Sequence, residues 1–216
     1  MNTDLISYYR ERAKEYENIY LKPERQDDLE RATAVLQDIF KNKNIFEINC
    51  GTGYWTAVLA KTAASIFATD INETVIEIAR QKHYENANVA FGIADIYNYE
   101  APKKYEHLFS GFIWSHIQVQ YLQDFLKEVN RFIMPGGMVV FMDNNYVEGS
   151  NLPVTKTDEQ GNTFQTRKLK DGSVHLVRKN FPSEAFIKEQ LKDIAKDIQF
   201  ISLEYYWILI YRTWNG

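Results

Sequence analysis

The segment Ile45-Phe46-Glu47-Ile48-Asn49-Cys50-Gly51-Thr52-Gly53, with Asp70 closing the next apolar run, constrains this chain most. A buried strand enters a tight glycine-bearing turn, and a helix begins at Tyr54. A second strand, Ile66-Phe67-Ala68-Thr69, then ends on a carboxylate. Such a unit places a nucleoside pocket at the C-terminal edge of a parallel sheet. Gly51 and Gly53 have no Cβ and let the backbone approach a ligand. Asp70 lies 17 residues beyond Gly53, where an acid can accept from both ribose hydroxyls.

The details divide two cofactor classes. A dinucleotide site uses G-x-G-x-x-G, with the pyrophosphate on the helix N-terminus. Here Thr56 holds the third glycine's place, and Glu47 precedes the turn. A carboxylate there repels a pyrophosphate and suits a cationic ligand, which opposes an NAD-dependent oxidoreductase. The run Glu47-x-Asn49-x-Gly51-x-Gly53 resembles motif I of class I S-adenosylmethionine (SAM) dependent methyltransferases. Asn49 replaces the motif's first glycine, and Asn is the side chain that best tolerates positive φ. Ala94-Asp95-Ile96, Ser110-Gly111-Phe112-Ile113-Trp114-Ser115-His116 and Met134-Pro135-Gly136-Gly137 resemble further segments of that family in order. The resemblance covers residues 40 to 145 and, more loosely, the whole chain.

The resemblance implies an α/β fold: a Rossmann-like, seven-stranded, mostly parallel sheet with helices on both faces and an antiparallel last strand. It implies SAM as cofactor and S-adenosylhomocysteine as product. The implied cofactor residues are Glu47, Asn49, Cys50, Gly51, Thr52, Gly53, Trp55 and Thr56 at the loop, and Asp70 and Ile71 at the ribose. Asp95 and Ile96 fall at the adenine, and Ser110 and Gly111 close strand four. Each acid also has a plainer reading: Glu47 as an ion-pair partner, Asp70 as a helix cap, Asp95 as a turn former. Cys50 reads as a small buried filler, since nothing cationic beside it lowers its pKa.

A chain of 216 residues suits one domain, 1–216, with an ample core. Net charge is −4 and the pI is about 5.6, which argues against a nucleic-acid partner. No Asn/Asp-Pro-Pro-Tyr/Phe motif of base methylases follows strand four. No apolar run approaches the ~20 residues of a membrane span, and no secretory signal pattern opens the chain. The single cysteine excludes an internal disulfide, and the cytoplasm is the default location. Histidines 83, 107, 116 and 175 are scattered, so no metal is expected.

Residues 1–43 read as N-terminal helices, the first an amphipathic helix over 4–20 carrying tyrosines 8, 9, 16 and 20. Pro23 opens the second, where its missing N–H costs nothing. Then strand and helix alternate: strand 45–49, helix 54–62, strand 65–69, helix 72–82, strand 89–93, strand 107–113, helix 119–132, strand 137–142. Alternation of this kind builds a doubly wound sheet. Ser183 can cap a helix to about Lys196, and strands near 198–204 and 206–212 follow as an antiparallel pair. Residues 144–182 form an insertion. Thr163 to Leu169 and Val174 to Phe181 flank Asp171-Gly172, a strong hairpin signal. This hairpin and the tyrosine helix are the two candidate lids.

Methyl transfer needs positioning and exclusion of water more than a fixed catalytic signature. His116 is the candidate base for a hydroxyl substrate; it equally suits orienting a loop. Tyr9 and Tyr16 can cover a sulfonium by cation–π contact, although a tyrosine stripe usually packs the core. Arg167, His175, Arg178 and Lys179 make a cationic hairpin, usually a solvated arrangement. The run from Thr166 to Ser173, with Lys179-Asn180-Phe181, resembles phosphonate O-methyltransferases of the dehydrophos type. That resemblance implies Arg167 and Lys179 at an acidic substrate group, and His175 on the same hairpin is a further candidate substrate residue. Hairpin parity separates two arrangements. A two-residue turn pairs Lys170 with Ser173 and points Lys179 away from Arg167. A three-residue loop pairs Leu169 with Ser173 and puts Arg167, His175 and Lys179 on one face.

The sequence therefore points to methylation, most readily on oxygen, of a small anionic molecule. The alternatives are a small-molecule N-methyltransferase and a SAM-binding regulatory or partner protein without catalysis.

Overall fold

The computed structural model describes residues 3–169 and 171–214. Helix α1 (Thr3–Arg12) continues as a 3-10 segment, Ala13–Leu21. The tyrosine stripe is thus carried on a helix that tightens after Arg12. A short 3-10 turn beginning at Pro23 leads into α2 (Gln26–Ile39). Strand β1 (Asn44–Ile48), α3 (Tyr54–Ala60), β2 (Ser65–Asp70), α4 (Glu73–Arg80) and β3 (Asn88–Ile93) form the first half. Asn72 caps α4 by accepting from the Thr74 amide at 3.1 Å. Strand β4 (Tyr105–Gly111), α5 (Leu122–Arg131) and β5 (Ile133–Asn144) begin the second half.

The insertion follows as β6 (Lys156–Thr157), β7 (Thr163–Lys168) and β8 (Val174–Arg178). Helix α6 (Glu184–Leu191), β9 (Ala195–Ser202) and β10 (Tyr206–Thr213) complete the described chain. The main sheet has seven strands in the order β3-β2-β1-β4-β5-β10-β9. Its β1–β2, β2–β3, β1–β4 and β4–β5 pairs are parallel, and β10 runs antiparallel to both neighbours. The strand order reverses between β1 and β4, so a crevice opens at their C-terminal ends.

Central strands alternate their side chains between two buried faces. Phe46, Leu108, Val139 and Leu209 pack with Phe125 and Val129 of α5 and Ile187 of α6. Ile45, Phe109, Val140 and Ile208 pack with Leu36 of α2, Leu59 of α3 and Ile76 of α4. This one-residue alternation makes the sheet two-sided and accounts for the helices on both faces.

Two boundaries depart from expectation. The helix after Ser183 ends at Leu191 rather than near Lys196. Ala195 is buried and pairs Thr213, so sheet pairing claims residues whose local pattern also suits a helix. The short strand β6 pairs the start of β7 and turns the hairpin into a three-stranded sheet.

The hairpin takes the three-residue form. Arg167 lies opposite His175, and the Leu169 amide donates to the Ser173 carbonyl at 3.0 Å. Gly172 closes the loop at φ 90°, a conformation that favours glycine. Lys170, the first loop residue, lies outside the described residues.

Candidate active site

The loop after β1 winds through alternating left-handed residues: Asn49 at φ 57°, Gly51 at 55° and Gly53 at 79°. Asn49 therefore adopts the conformation that a glycine would supply. The two glycines serve different ends. A Cβ on Gly53 would stand 2.5 Å from Tyr84 Oη, so the loop packs against the turn after α4. A Cβ on Gly51 would meet nothing within 4 Å, so open space lies beside its backbone.

Asp70 ends β2 beside this loop. Its Oδ2 accepts from the Gly51 amide at 3.0 Å and its Oδ1 from the Asn72 amide at 2.9 Å. Burial raises its pKa, against the pull of these amides. Glu47 is 1% exposed. Burial pushes its carboxyl up to about 8, opposed by the Thr56 hydroxyl and reinforced by Asp70. Glu47 Oε2 and Asn49 Oδ1 are buried acceptors with no partner among the described residues. Such orphaned acceptors at a pocket wall call for a donor-bearing or cationic occupant.

A cavity of about 100 Å³ lies over this edge. Glu47, Asn49, Cys50, Gly51, Thr52, Trp55, Asp70, Ile71 and Gly111 line it, with Tyr9, Tyr16 and His116 opposite. Gly53, Thr56, Asp95, Ile96, Ser110, Arg167, His175 and Lys179 are not on its wall. Asp95 accepts from the Tyr97 amide and the Asn98 side chain, which makes a local turn. Burial pushes the Cys50 thiol far up, which leaves it unreactive. Phe112 adds a feature that the sequence did not reveal. It lines the cavity at φ 64°, a strained conformation for a bulky side chain.

The N-terminal segment forms the facing wall and is fastened to the loop. Thr52 Oγ1 donates to Glu17 Oε1 at 2.6 Å, and Lys82 ion-pairs the same carboxylate. Trp55 Nε1 donates to Tyr20 Oη at 3.2 Å. Tyr9 reaches His116 Nε2 with its hydroxyl at 2.7 Å. His116 Nδ1 lies 2.6 Å from the Arg178 carbonyl, which can only accept. Nδ1 therefore carries the proton and Nε2 accepts from Tyr9. Burial, then Lys179 and Arg167, holds the His116 pKa well below the usual range, so the ring is neutral.

The hairpin cations separate by partner. Lys179 Nζ is buried, 2.8 Å from Asp143 Oδ1 and 2.6 Å from Ser115 Oγ. Asp143 also accepts from the Ser115 amide and from the backbone and side chain of Asn144. Burial works to raise the Asp143 pKa, but Lys179 and the surrounding donors together bring it below the usual value and keep the carboxylate ionised. His175 contacts Ser173 and Glu11, and its ring meets Tyr8 edge-on. Arg167 has no carboxylate within ion-pair distance among the described residues. It donates to Gln165 Oε1 at 2.9 Å and to Tyr8 Oη at 3.4 Å, with its guanidinium over the Tyr8 ring. Asp143 and Ser115 were missed in the sequence. Asp143 carried the same signal as Asp70, an acid closing a buried apolar strand.

Residues 45–137 match the profile of a methyltransferase domain. A curated relative, demethylmenaquinone methyltransferase of Staphylococcus aureus (strain MRSA252), is 28% identical over 178 residues, spanning 76% of this chain and 70% of its own. The DhpI–SAH complex superposes with a TM-score of 0.80 at 23% identity, covering 99% of this chain and 97% of that one. The DhpI–SAM–HEP complex gives 0.77 at 23% identity over 97% and 96%. Residues 45–137 thus carry a methyltransferase domain, on the fold that the SAH and SAM complexes of DhpI share. Its site fits that cofactor: Asp70 offers a strand-end carboxylate, Gly51 leaves room beside the backbone, and Glu47 and Asn49 face the cavity with unmet acceptors.

Proposed function

We propose that this enzyme methylates an oxygen of a small acidic molecule. The observation that carries the reading is Arg167, a shielded guanidinium whose partners among the described residues are neutral, beside the Tyr9 wall of the cavity. A guanidinium so placed suits the oxygens of a phosphonate or carboxylate. Lys179 shares its strand face but is neutralised by Asp143, so Arg167 supplies the unmatched charge. DhpI, which shares the fold, forms a complex with SAM and HEP.

The roles divide along the cavity. When bound, SAM supplies a methyl group already activated on a sulfonium. Asp70 would hold the ribose, and Glu47 and Asn49 would meet the donors of the cofactor's cationic end. Arg167 orients the acid, and Tyr9 and Tyr16 close the cavity against water. The test is a screen of SAM consumption against small phosphonates, carboxylates, phenols and amines. Methyl esters or ethers formed from the acids are the expected products. Turnover confined to amines or uncharged phenols contradicts the reading, and no turnover with any acceptor favours a SAM-binding protein without catalysis.

A further inference from the structure

The hydrogen-bond pattern around His116 assigns its neighbour a chemical task. Both imidazole nitrogens are engaged: Nδ1 on the Arg178 carbonyl at 2.6 Å and Nε2 on the Tyr9 hydroxyl at 2.7 Å. A substrate hydroxyl cannot reach Nε2 while Tyr9 occupies it. Tyr9 and His116 both line the cavity, their rings 5.5 Å apart and edge to face. Tyr9 is thus the outer member of a two-membered chain that starts at a cavity-lining residue and ends on a neutral base.

The flanking groups act on both members of this chain. Burial raises the Tyr9 pKa, and Arg167 acts against it by favouring the phenolate. Arg178 holds the imidazole through its backbone carbonyl, and its own side chain donates to the His116 carbonyl at 3.2 Å. Asp143 faces His116 from β5 and offsets part of the repulsion from Lys179 and Arg167 when the ring takes a proton.

We propose that Tyr9 is a catalytic residue that takes the acceptor's hydroxyl proton and passes its own to His116 Nε2. The inference rests on the O-methylation reading above. The acceptor O–H bond breaks and its proton goes to Tyr9 Oη. The phenol proton crosses to Nε2, which leaves an imidazolium that discharges to solvent after product release. The freed oxygen pair forms the O–CH3 bond while the sulfur keeps the pair of the breaking S–CH3 bond. The chain acts as one general base, a class of effect worth about 10²–10⁴-fold in rate.

Two measurements test this. The first needs no acceptor: nitrogen NMR of histidine-labelled protein near neutral pH, with His116 assigned through a His116→Gln variant. The expected spectrum shows a neutral ring protonated at Nδ1 and bare at Nε2. A ring protonated at Nε2 overturns the proposal, because it cannot accept from Tyr9. The second compares wild type with Tyr9→Phe, which keeps the ring and removes the hydroxyl. With an acid that wild type methylates on a hydroxyl group, kcat should fall about 100-fold. SAM affinity should stay within about 3-fold, and the wild-type loss of kcat at low pH should vanish. Unchanged kcat, or a loss confined to SAM affinity, makes Tyr9 a wall residue and overturns the proposal alone. Absence of wild-type turnover with every acid removes the acceptor reading and this proposal with it.

Discussion

The two halves of the site are built differently. The cofactor edge is local: Glu47 through Gly53 form one loop, and Asp70 closes the adjacent strand. The acceptor side is assembled across the chain. Tyr9 meets His116 across 107 positions, and Lys179 meets Asp143 across 36. The first depends on backbone conformation, with left-handed residues and amides aimed at a carboxylate. The second depends on buried charge, with one ion pair completed and one guanidinium left unmatched. The difference teaches that the cofactor edge can be read from a motif, whereas the proposed acceptor contact turns on which cation lacks an anionic partner among the described residues.

The largest effect should come from the completed pair. Asp143→Ala strands the Lys179 ammonium in a buried setting, a loss of about 3–5 kcal/mol of stability. Urea unfolding checks it. Replacing both partners with apolar residues of similar volume should recover most of that loss. A harmless Asp143→Ala would mean that the two regions differ less than argued.

The cofactor edge should respond in binding. Asp70→Ala should weaken SAM by about 1.5–3 kcal/mol, read by calorimetry. Because Asp70 also receives the Gly51 and Asn72 amides, a modest drop in melting temperature should accompany it. Unchanged affinity would detach Asp70 from the ribose.

A pH-dependent effect also distinguishes the regions. The Glu47 carboxyl sits near 8 in the fold, against about 4.3 in an unfolded chain. The fold therefore prefers its neutral form, and this group removes stability as pH rises from the unfolded value through about 8. Glu47→Gln should match wild type near pH 4 and exceed it at pH 8, by about 2–4 °C in melting temperature for each kcal/mol relieved. The same variant should bind SAM more weakly, since an amide replaces the acceptor carboxylate. A thermal melt at the two pH values with and without SAM checks both halves.

What the sequence disclosed follows the same division. The glycine loop was legible because each residue's conformational need is written at its own position, Asn49 included. The sheet was legible because its strands are continuous apolar runs between helical patterns. Loop chemistry limited the hairpin to two registers, and the structure adopts the one that puts Arg167, His175 and Lys179 on one face. Which of these cations stays unmatched was not legible, because Asp143 reaches Lys179 only after the insertion folds back onto β5. The 183–196 segment misled for a related reason. Its residues suit a helix locally, and pairing with β10 turns the last of them into a strand. Asp95 shows the converse: the resemblance set it at the adenine beside a plainer reading as a turn former, and its oxygens accept within a local turn.

The central claim is that Arg167 reads the acceptor and leaves the cofactor alone. The direct measurement sets Arg167→Ala beside wild type, with kcat/KM for a methylated acid and SAM affinity determined on the same preparations. The account predicts a fall in kcat/KM of about 10- to 150-fold, the loss of a charge-assisted contact, with SAM affinity unchanged. An unchanged kcat/KM, or a parallel loss of SAM affinity, would contradict it.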